Sequence, residues 1–256
     1  MSGKYYIAVD CEGVACAVGT PGVGLADSEN YRFACLQATR EANAAVRALF
    51  DAGADEVTVW DAHGSGINLL YDELDERCHI LLGAGHKGRF VGLDSSWTAV
   101  LFIGYHAMGG TKDAVLSHTF SSKTLQTYKL NGEFAGELAI DAAYAGAHCV
   151  PVLFCASDDK CVAEALRTFG PIATVETKRS LSWNSAISRH PAAVCKDIYR
   201  TVLEAAQRGA STAPFTLPSP LPVEIRFPRA DLAAQARLTD KDGKPFAFTD
   251  AFTRVG

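Results

Sequence analysis

The feature that most constrains the fold is a set of short hydrophobic runs, long enough for buried strands and too short for helices. They are residues 5–9, 57–60 and 99–104. A helical pattern separates the first run from the second, because apolar residues recur every three or four positions between Ser28, a predicted N-cap, and Phe50. Strands that alternate with helices indicate parallel β-α-β units, so neighbouring runs should end at the same edge of one sheet.

This alternation continues to about residue 170 and predicts an α/β protein, with a three-layer-like sheet core and flanking helices. Four prolines between residues 214 and 222 then exclude a helix across that segment. We therefore expect an α/β core at residues 1–212 and a small C-terminal α+β appendage at residues 213–256. Within the appendage, residues 223–227 are expected to form an edge strand.

The charge balance excludes two classes of partner. The chain has 24 basic and 29 acidic residues, a net charge of −5 and no run of lysine or arginine, so neither nucleic acid nor a membrane surface is expected to bind. The N-terminus lacks the apolar stretch of a signal peptide, and no apolar run approaches the length of a membrane helix. We expect a cytoplasmic protein whose eight cysteines stay reduced.

Potential metal ligands follow each of the three runs. Asp10 and Glu12 come after the first, His63 after the second and His106 after the third. Open α/β sheets bind ligands beyond the carboxyl ends of their strands, and neighbouring carboxylates repel unless a cation or a proton lies between them. The pattern indicates a metal site, although each acid could be a solvated loop residue and each histidine structural. Asp61 could orient a ligand by a hydrogen bond or cap a loop.

Two further residues extend the candidate site. His118 follows Leu116-Ser117 and could move protons beside a metal or make a structural hydrogen bond. Glu137 begins a predicted helix, where it could belong to the site or be an ordinary first-turn acid stabilised by the helix dipole. The residues alone leave both alternatives open.

Five short segments occur in the order and near the spacing of the signature blocks of a known family. They are Val9-Asp10-Cys11-Glu12-Gly13, Trp60-Asp61-Ala62-His63, Gly104-Tyr105-His106-Ala107, Leu116-Ser117-His118 and Gly136-Glu137-Leu138. Through them the chain resembles the DppA-type D-aminopeptidases over roughly residues 5–195, and the tail after residue 195 matches poorly. Members of this family are dinuclear zinc metallopeptidases with an α/β fold.

The resemblance implies two zinc ions (Zn2+) per subunit. The implied ligands are Asp10 as the bridge between the ions, Glu12 and His63 on one ion, and His106 and Glu137 on the other. His118 would be the catalytic histidine beside the metals. Because family members form ring-shaped decamers, the resemblance also implies a homo-oligomer.

The expected reaction is hydrolysis of the amide bond after the N-terminal amino acid of a short peptide or amino-acid amide. The resemblance implies the D configuration, which no residue by itself indicates. An amidohydrolase of a non-peptide amide and a non-catalytic metal-binding homologue remain alternatives. A two-metal phosphoesterase could use similar ligands, but none of the five segments contains a basic residue to bind a phosphate.

Overall fold

The computed structural model describes residues 3–256, and strands and helices alternate along most of this length. The strands are β1 (Lys4–Val9), β2 (Glu56–Asp61), β3 (His79–Leu81), β4 (Ala99–Ile103), β5 (Thr127–Leu130), β6 (Glu133–Phe134), β7 (Val152–Ser157), β8 (Ala173–Glu176), β9 (Lys178–Ser182), β10 (Ser185–Ser188), β11 (Val223–Arg226), β12 (Ala247–Phe248) and β13 (Thr253–Val255). The helices are α1 (Tyr31–Asp51), α2 (Glu137–Ala147), α3 (Asp159–Phe169), α4 (Pro191–Arg208) and α5 (Ala230–Gln235). Short 3-10 turns at Leu25–Asp27 and Tyr71–Glu73 follow β1 and β2.

The central sheet is parallel, and its six strands lie in the order β3-β2-β1-β4-β7-β8. From β1 the chain builds outwards in one direction through β2 and β3, and then in the other through β4, β7 and β8. The three central strands end level with one another, since Val9 pairs with both Asp61 and Ile103. The position between β1 and β4 is therefore the switch point of the sheet, where α/β proteins bind their ligands.

Two apolar cores enclose the sheet and produce the predicted three layers. On one face, α1 and α4 pack together and cover residues of β1 that include Ile7 and Val9. On the other face, α2 and α3 belong to the core that contains Tyr6 and Ala8. All four of these strand residues are buried, because successive side chains alternate between two faces that are both covered. The α/β prediction is confirmed.

The long helix α1 begins later than its sequence pattern predicts. Ser28 is not its N-cap, because it ends the preceding 3-10 turn and its hydroxyl donates to the carbonyl of Leu25 at 2.6 Å. Asn30 precedes the first helical residue instead. A serine before an apolar helical pattern is a common start signal. Here, however, the hydroxyl of Ser28 is hydrogen-bonded within the 3-10 turn and does not cap α1.

Strands from both sides of the proline segment form a second sheet, which is antiparallel and ordered β12-β13-β11-β5-β6. The prediction of an edge strand at residues 223–227 is wrong, because β11 lies between β13 and β5. β5 lies far before β11 in the chain, and β13 follows β11 only after α5 and β12, so the proline-flanked run by itself does not reveal either partner. The division of the chain at residue 212 stays a prediction.

All eight cysteines are free thiols, as predicted. Across residues 3–256, no helix is both long and apolar enough to cross a membrane.

Candidate metal centre

The carboxyl ends of β1, β2 and β4 bring the predicted ligands together. Asp10 follows β1 directly, and its amide donates to the carbonyl of Ile103 at the end of β4 at 2.8 Å. Glu12 lies two residues further along the same loop. His63 and His106 follow the ends of β2 and β4 by two and three residues. The level ends of the three strands thus place all four side chains at one edge of the sheet.

Glu12 and His63 form the first pair of the site, with His63 Nε2 lying 3.2 Å from Glu12 Oε1. The other ring nitrogen, Nδ1, lies 3.2 Å from Asn68 Oδ1. That atom is the amide oxygen, because Asn68 Nδ2 donates to Asp61 Oδ1 at 2.6 Å. Nδ1 of His63 therefore donates to Asn68, and Nε2, which faces Glu12, is the ring nitrogen that can bind a metal in place of a proton. Asp61 orients the histidine through Asn68 and not by a direct bond.

Asp10, His106 and Glu137 form the second group. His106 Nε2 lies 3.5 Å from Asp10 Oδ2 and 3.4 Å from Glu137 Oε1, which reaches the site from the first residue of α2. His106 Nδ1 lies 3.1 Å from the carbonyl of Ala107, and since a carbonyl only accepts, Nδ1 carries the proton. Ligand atoms of Asp10, Glu12 and His106 lie within 4.8 Å of one another. Asp10 therefore lies close to both Glu12 and His106.

His118 lies beside the second group, and its ring stacks on that of His106 with centroids 3.9 Å apart. Its Nδ1 donates to the carbonyl of Leu116 at 2.7 Å, while Nε2 lies 3.9 Å from Glu137 Oε1. Ligand atoms of His106, His118 and Glu137 also lie within 4.8 Å of one another, so the geometry allows His118 to bind a metal or to act next to one. Leu116 and Phe120, on either side of it, have positive φ angles of 50° and 59°. Such strained backbone is concentrated at functional sites.

Several carboxylates lie close together in this buried site, and their charges shift the pKa values of the neighbouring imidazoles. Burial by itself lowers the pKa of His63, but the charges of Glu12 and Asp10 outweigh burial and raise the pKa to about 11. Burial likewise lowers the pKa of His106, and Glu137 and Asp10 raise it to about 10. Burial, reinforced by the charge of Glu12, raises the pKa of Asp10. The site therefore needs positive charge, which either protons or a bound cation can supply.

One carboxylate oxygen in the site lacks any protein partner. Glu12 Oε2 is buried and makes no hydrogen bond with any part of the chain that the structure describes. An unpaired buried carboxylate oxygen is costly, and a metal ion bound there would satisfy it. Zinc binds imidazole nitrogen together with carboxylate oxygen. The donor atoms therefore fit zinc.

The loop that carries Glu12 is held tightly by its surroundings. A Cβ on Gly13 would lie only 1.8 Å from the carbonyl oxygen of Tyr105, so glycine is required at this close approach. Lys178 is buried, and its Nζ donates to the carbonyl oxygens of Glu12 and of Val14, the latter at 2.7 Å. Burial lowers the pKa of Lys178 to about 8. These contacts fix the main chain from which the Glu12 side chain extends.

Sequence reasoning missed Asn68 and Lys178, the residues that hold His63 and the Glu12 loop. Asn68 lies in an irregular loop five residues after His63, and Lys178 lies 166 residues after Glu12. No local pattern marks either residue. An asparagine in a loop and a lysine in a short strand are both typical of solvated surfaces, and only the folded chain buries them.

A cleft leads from the ligands to the surface of the protein. Its volume is about 200 Å³, and Glu12, His63 and His118 are among its lining residues. A larger cavity of about 590 Å³ lies elsewhere, with mostly apolar walls that include Ile140 and Tyr144, and contains none of the candidate ligands. The smaller cleft is therefore the one through which a substrate can reach the candidate ligands.

Comparison with known proteins agrees with this geometry. The sequence model of the D-aminopeptidase family, peptidase M55, matches residues 4–243, well beyond residue 195, where the resemblance was expected to end. A D-aminopeptidase of Bacillus subtilis (strain 168) is 31% identical over 238 residues, which cover 92% of this chain and 85% of that protein. A solved structure, the Zn-dependent D-aminopeptidase DppA from Bacillus subtilis, a self-compartmentalizing protease, matches with a TM-score of 0.88 and 28% identity, covering 98% of this chain and 90% of that one. The chain belongs to the D-aminopeptidase family and is a hydrolase of the aminopeptidase class.

Proposed function

We propose that the protein is a dinuclear zinc aminopeptidase that removes the N-terminal residue from short peptides or amino-acid amides. The proposed ligands are Asp10 as the bridge between the two ions, Glu12 and His63 on one ion, and His106 and Glu137 on the other. When bound, two zinc ions supply Lewis acidity to a substrate carbonyl and make water more acidic.

The observation that carries this proposal is the shared orientation of the two histidines. In His63 and in His106, Nδ1 bonds to an oxygen acceptor while Nε2 faces carboxylates. Metal-binding histidines are held in this way, with the second ring N–H on an oxygen. Oε2 of Glu12, which has no hydrogen-bond partner among the described residues, adds an oxygen that can bind a metal ion at the same place. The zinc dependence of the solved relative supports zinc as the ion.

We assign proton transfer to His118. Its Nδ1–H is committed to the carbonyl of Leu116, so Nε2 is the ring atom that can exchange a proton, and the residue lines the cleft. In the proposed reaction, water adds to the scissile carbonyl, the amide C–N bond breaks, and His118 Nε2 takes a proton from water and delivers one to the leaving amine.

The D configuration of the N-terminal residue belongs to this proposal and is supported by the family. A non-peptide amidohydrolase on the same metal site is the alternative. The solved relative is a self-compartmentalizing protease, and we infer from it that this chain also forms a homo-oligomer, with the decamer of the family as the expected size. The cytoplasmic location stays a prediction.

The test combines metal analysis with one substitution. The purified wild-type protein is expected to hold two zinc ions per chain and to hydrolyse D-alanyl-D-alanine. We expect His118→Ala to keep both ions and to lose at least about 100-fold in kcat, the usual contribution of a general acid–base residue. His148→Ala, at an exposed position outside the cleft, is the matched control and should retain activity.

Each other outcome has a definite meaning. Fewer than one metal ion per chain after zinc loading would contradict the dinuclear site. Loss of an ion in His118→Ala would make His118 a ligand, and full activity of that variant would contradict its catalytic role. Hydrolysis of non-peptide amides alone would favour the alternative function.

A further inference from the structure

We infer that Asp141 is a positioning residue, which fixes His106 and Glu137 relative to each other. It would thereby set the affinity for the zinc ion that these two residues are proposed to share. The inference rests on the proposed function and gives a role to a residue outside the proposed ligand set. Asp141 would act through the two chain segments that carry the ligands.

Asp141 is a buried acid on a helix that has only one other charged residue, Glu137. The two acids lie four residues apart on α2, so their side chains are neighbours on the helix surface. Like charges at this spacing destabilise a helix, and burying a charge is costly unless it is paired. An apolar residue at position 141 would avoid both costs. The packing of α2 therefore does not explain why an acid lies here.

Asp141 ties α2 to the segment that carries His106. Tyr105 directly precedes His106, and its hydroxyl donates to Asp141 Oδ2 at 2.5 Å. The main chain of Tyr105 is also held, because its carbonyl accepts a hydrogen bond from the hydroxyl of Ser157 at the end of β7. The bond between Tyr105 and Asp141 thus limits how far α2 can move from the end of β4. It limits in the same way the distance between His106 Nε2 and Glu137 Oε1, which is 3.4 Å.

Arg89 adds a second link between Asp141 and Glu137. Its Nε donates to Asp141 Oδ1, and its Nη2 donates to Oδ2 at 2.6 Å, so the pair is bidentate and neutralises the buried carboxylate. The guanidinium carbon also lies 5.7 Å from the centre of the Phe120 ring, a cation–π contact. The amide of Phe120 donates to Glu137 Oε1 at 2.7 Å. Glu137 is therefore held both by its helix and by a loop that contacts Arg89.

This network should affect the two proposed ions differently. The residues proposed for the other ion are held by separate contacts, those of Asn68 and Lys178. Loss of Asp141 should therefore weaken the ion at His106 and Glu137 and leave the other ion bound. A purely structural role of Asp141 would lower the stability of the protein without distinguishing the two ions.

The experiment titrates the zinc-loaded protein with a competing chelator, and the wild-type protein is expected to release its ions in two steps. Glu137→Gln changes a proposed ligand and identifies the step that belongs to the second ion. Asp141→Asn should weaken that step about tenfold, as loss of an outer partner of a metal ligand does, and leave the other step unchanged. Tyr105→Phe removes one hydroxyl and should weaken the same step about fivefold, the contribution of one hydrogen bond.

The double variant of Tyr105→Phe and Asp141→Asn should bind no more weakly than Asp141→Asn alone, because Tyr105 acts through Asp141. The matched control is Asp75→Asn. Asp75 also forms a bidentate pair with an arginine, since Arg77 Nε and Nη2 lie 2.7 and 2.8 Å from its oxygens, but this pair lies in the loop before β3. Asp75→Asn should change neither step.

Equal weakening of both steps in Asp141→Asn, or no weakening of either, would overturn this inference and leave the proposed function in place. If Asp141→Asn does not fold, Tyr105→Phe decides the question by the same criterion. A further loss in the double variant would show that Tyr105 does not act through Asp141 and would also count against the inference. A wild-type protein with no step that Glu137→Gln shifts would overturn the proposed function together with this inference.

Discussion

Glu41 is a buried acid within α1, and its titration should control how the stability of the protein depends on pH. Glu41 Oε1 accepts hydrogen bonds from the amide of Ala15 at 2.9 Å and from Gln37 Nε2 at 2.8 Å. Its second oxygen, Oε2, is buried and unpaired among the described residues. Burial outweighs these hydrogen bonds and raises the pKa of Glu41 from 4.5 to about 7.

The direction of the effect follows from proton binding. Between pH 4.5 and about 7, the folded state keeps the proton of Glu41 and the unfolded state has lost it. The free energy of unfolding therefore falls as pH rises through this window. Below pH 4.5 both states are protonated and the contribution of Glu41 is fully retained, while above about pH 7 it is lost. The loss amounts to about 3 kcal/mol, because each pKa unit corresponds to about 1.4 kcal/mol.

Glu41→Gln keeps an oxygen for the amide of Ala15 and cannot ionise. Its free energy of unfolding, relative to that of the wild-type protein, should therefore rise by about 3 kcal/mol between about pH 4.5 and pH 8. Urea unfolding at a series of pH values and constant zinc concentration measures this difference. The proposed metal ligands are the same in both proteins, so their contribution to the pH dependence cancels in the comparison. Glu204→Gln, at an exposed position of α4, is the control for loss of one negative charge. A difference between Glu41→Gln and wild type that does not vary with pH would refute the reasoning.

Two further substitutions test how the ligands are positioned. Gly13→Ala would force a Cβ against the carbonyl of Tyr105 and should displace the Glu12 loop. Metal analysis of this variant should therefore find less than half of the wild-type zinc content. The control is Gly85→Ala, which has nothing within 4 Å of its Cβ and should bind zinc normally. Asn68→Ala removes the oxygen that accepts the hydrogen bond from Nδ1 of His63. The variant should bind zinc about 10–100-fold more weakly in competition with a chelator. Unchanged zinc affinity in Asn68→Ala would contradict the orienting role.

Much of the candidate site could be predicted from the sequence because most of the proposed ligands lie next to strands. Asp10, His63 and His106 each follow a hydrophobic run, and the ends of parallel strands meet at one edge. Glu137 and His118 are different, since one begins a helix and the other lies in a loop. Each of these two residues also had an ordinary structural explanation. Only the resemblance of five separate segments to the family indicated that they belong to the site. Their approach to His106 depends on how α2 and the loop pack above the sheet.

The sequence by itself determined the local elements of this protein, because the period of its apolar residues records which side of a strand or helix is buried. It did not determine which distant segment covers that side. Only the tertiary structure paired β11 with β5 and β13 in the middle of a sheet. Likewise, only the tertiary structure buried Lys178 against the carbonyls of the Glu12 loop. These contacts join residues that are far apart in the chain, and their energy arises from burial and hydrogen bonding that exist only once the chain has folded.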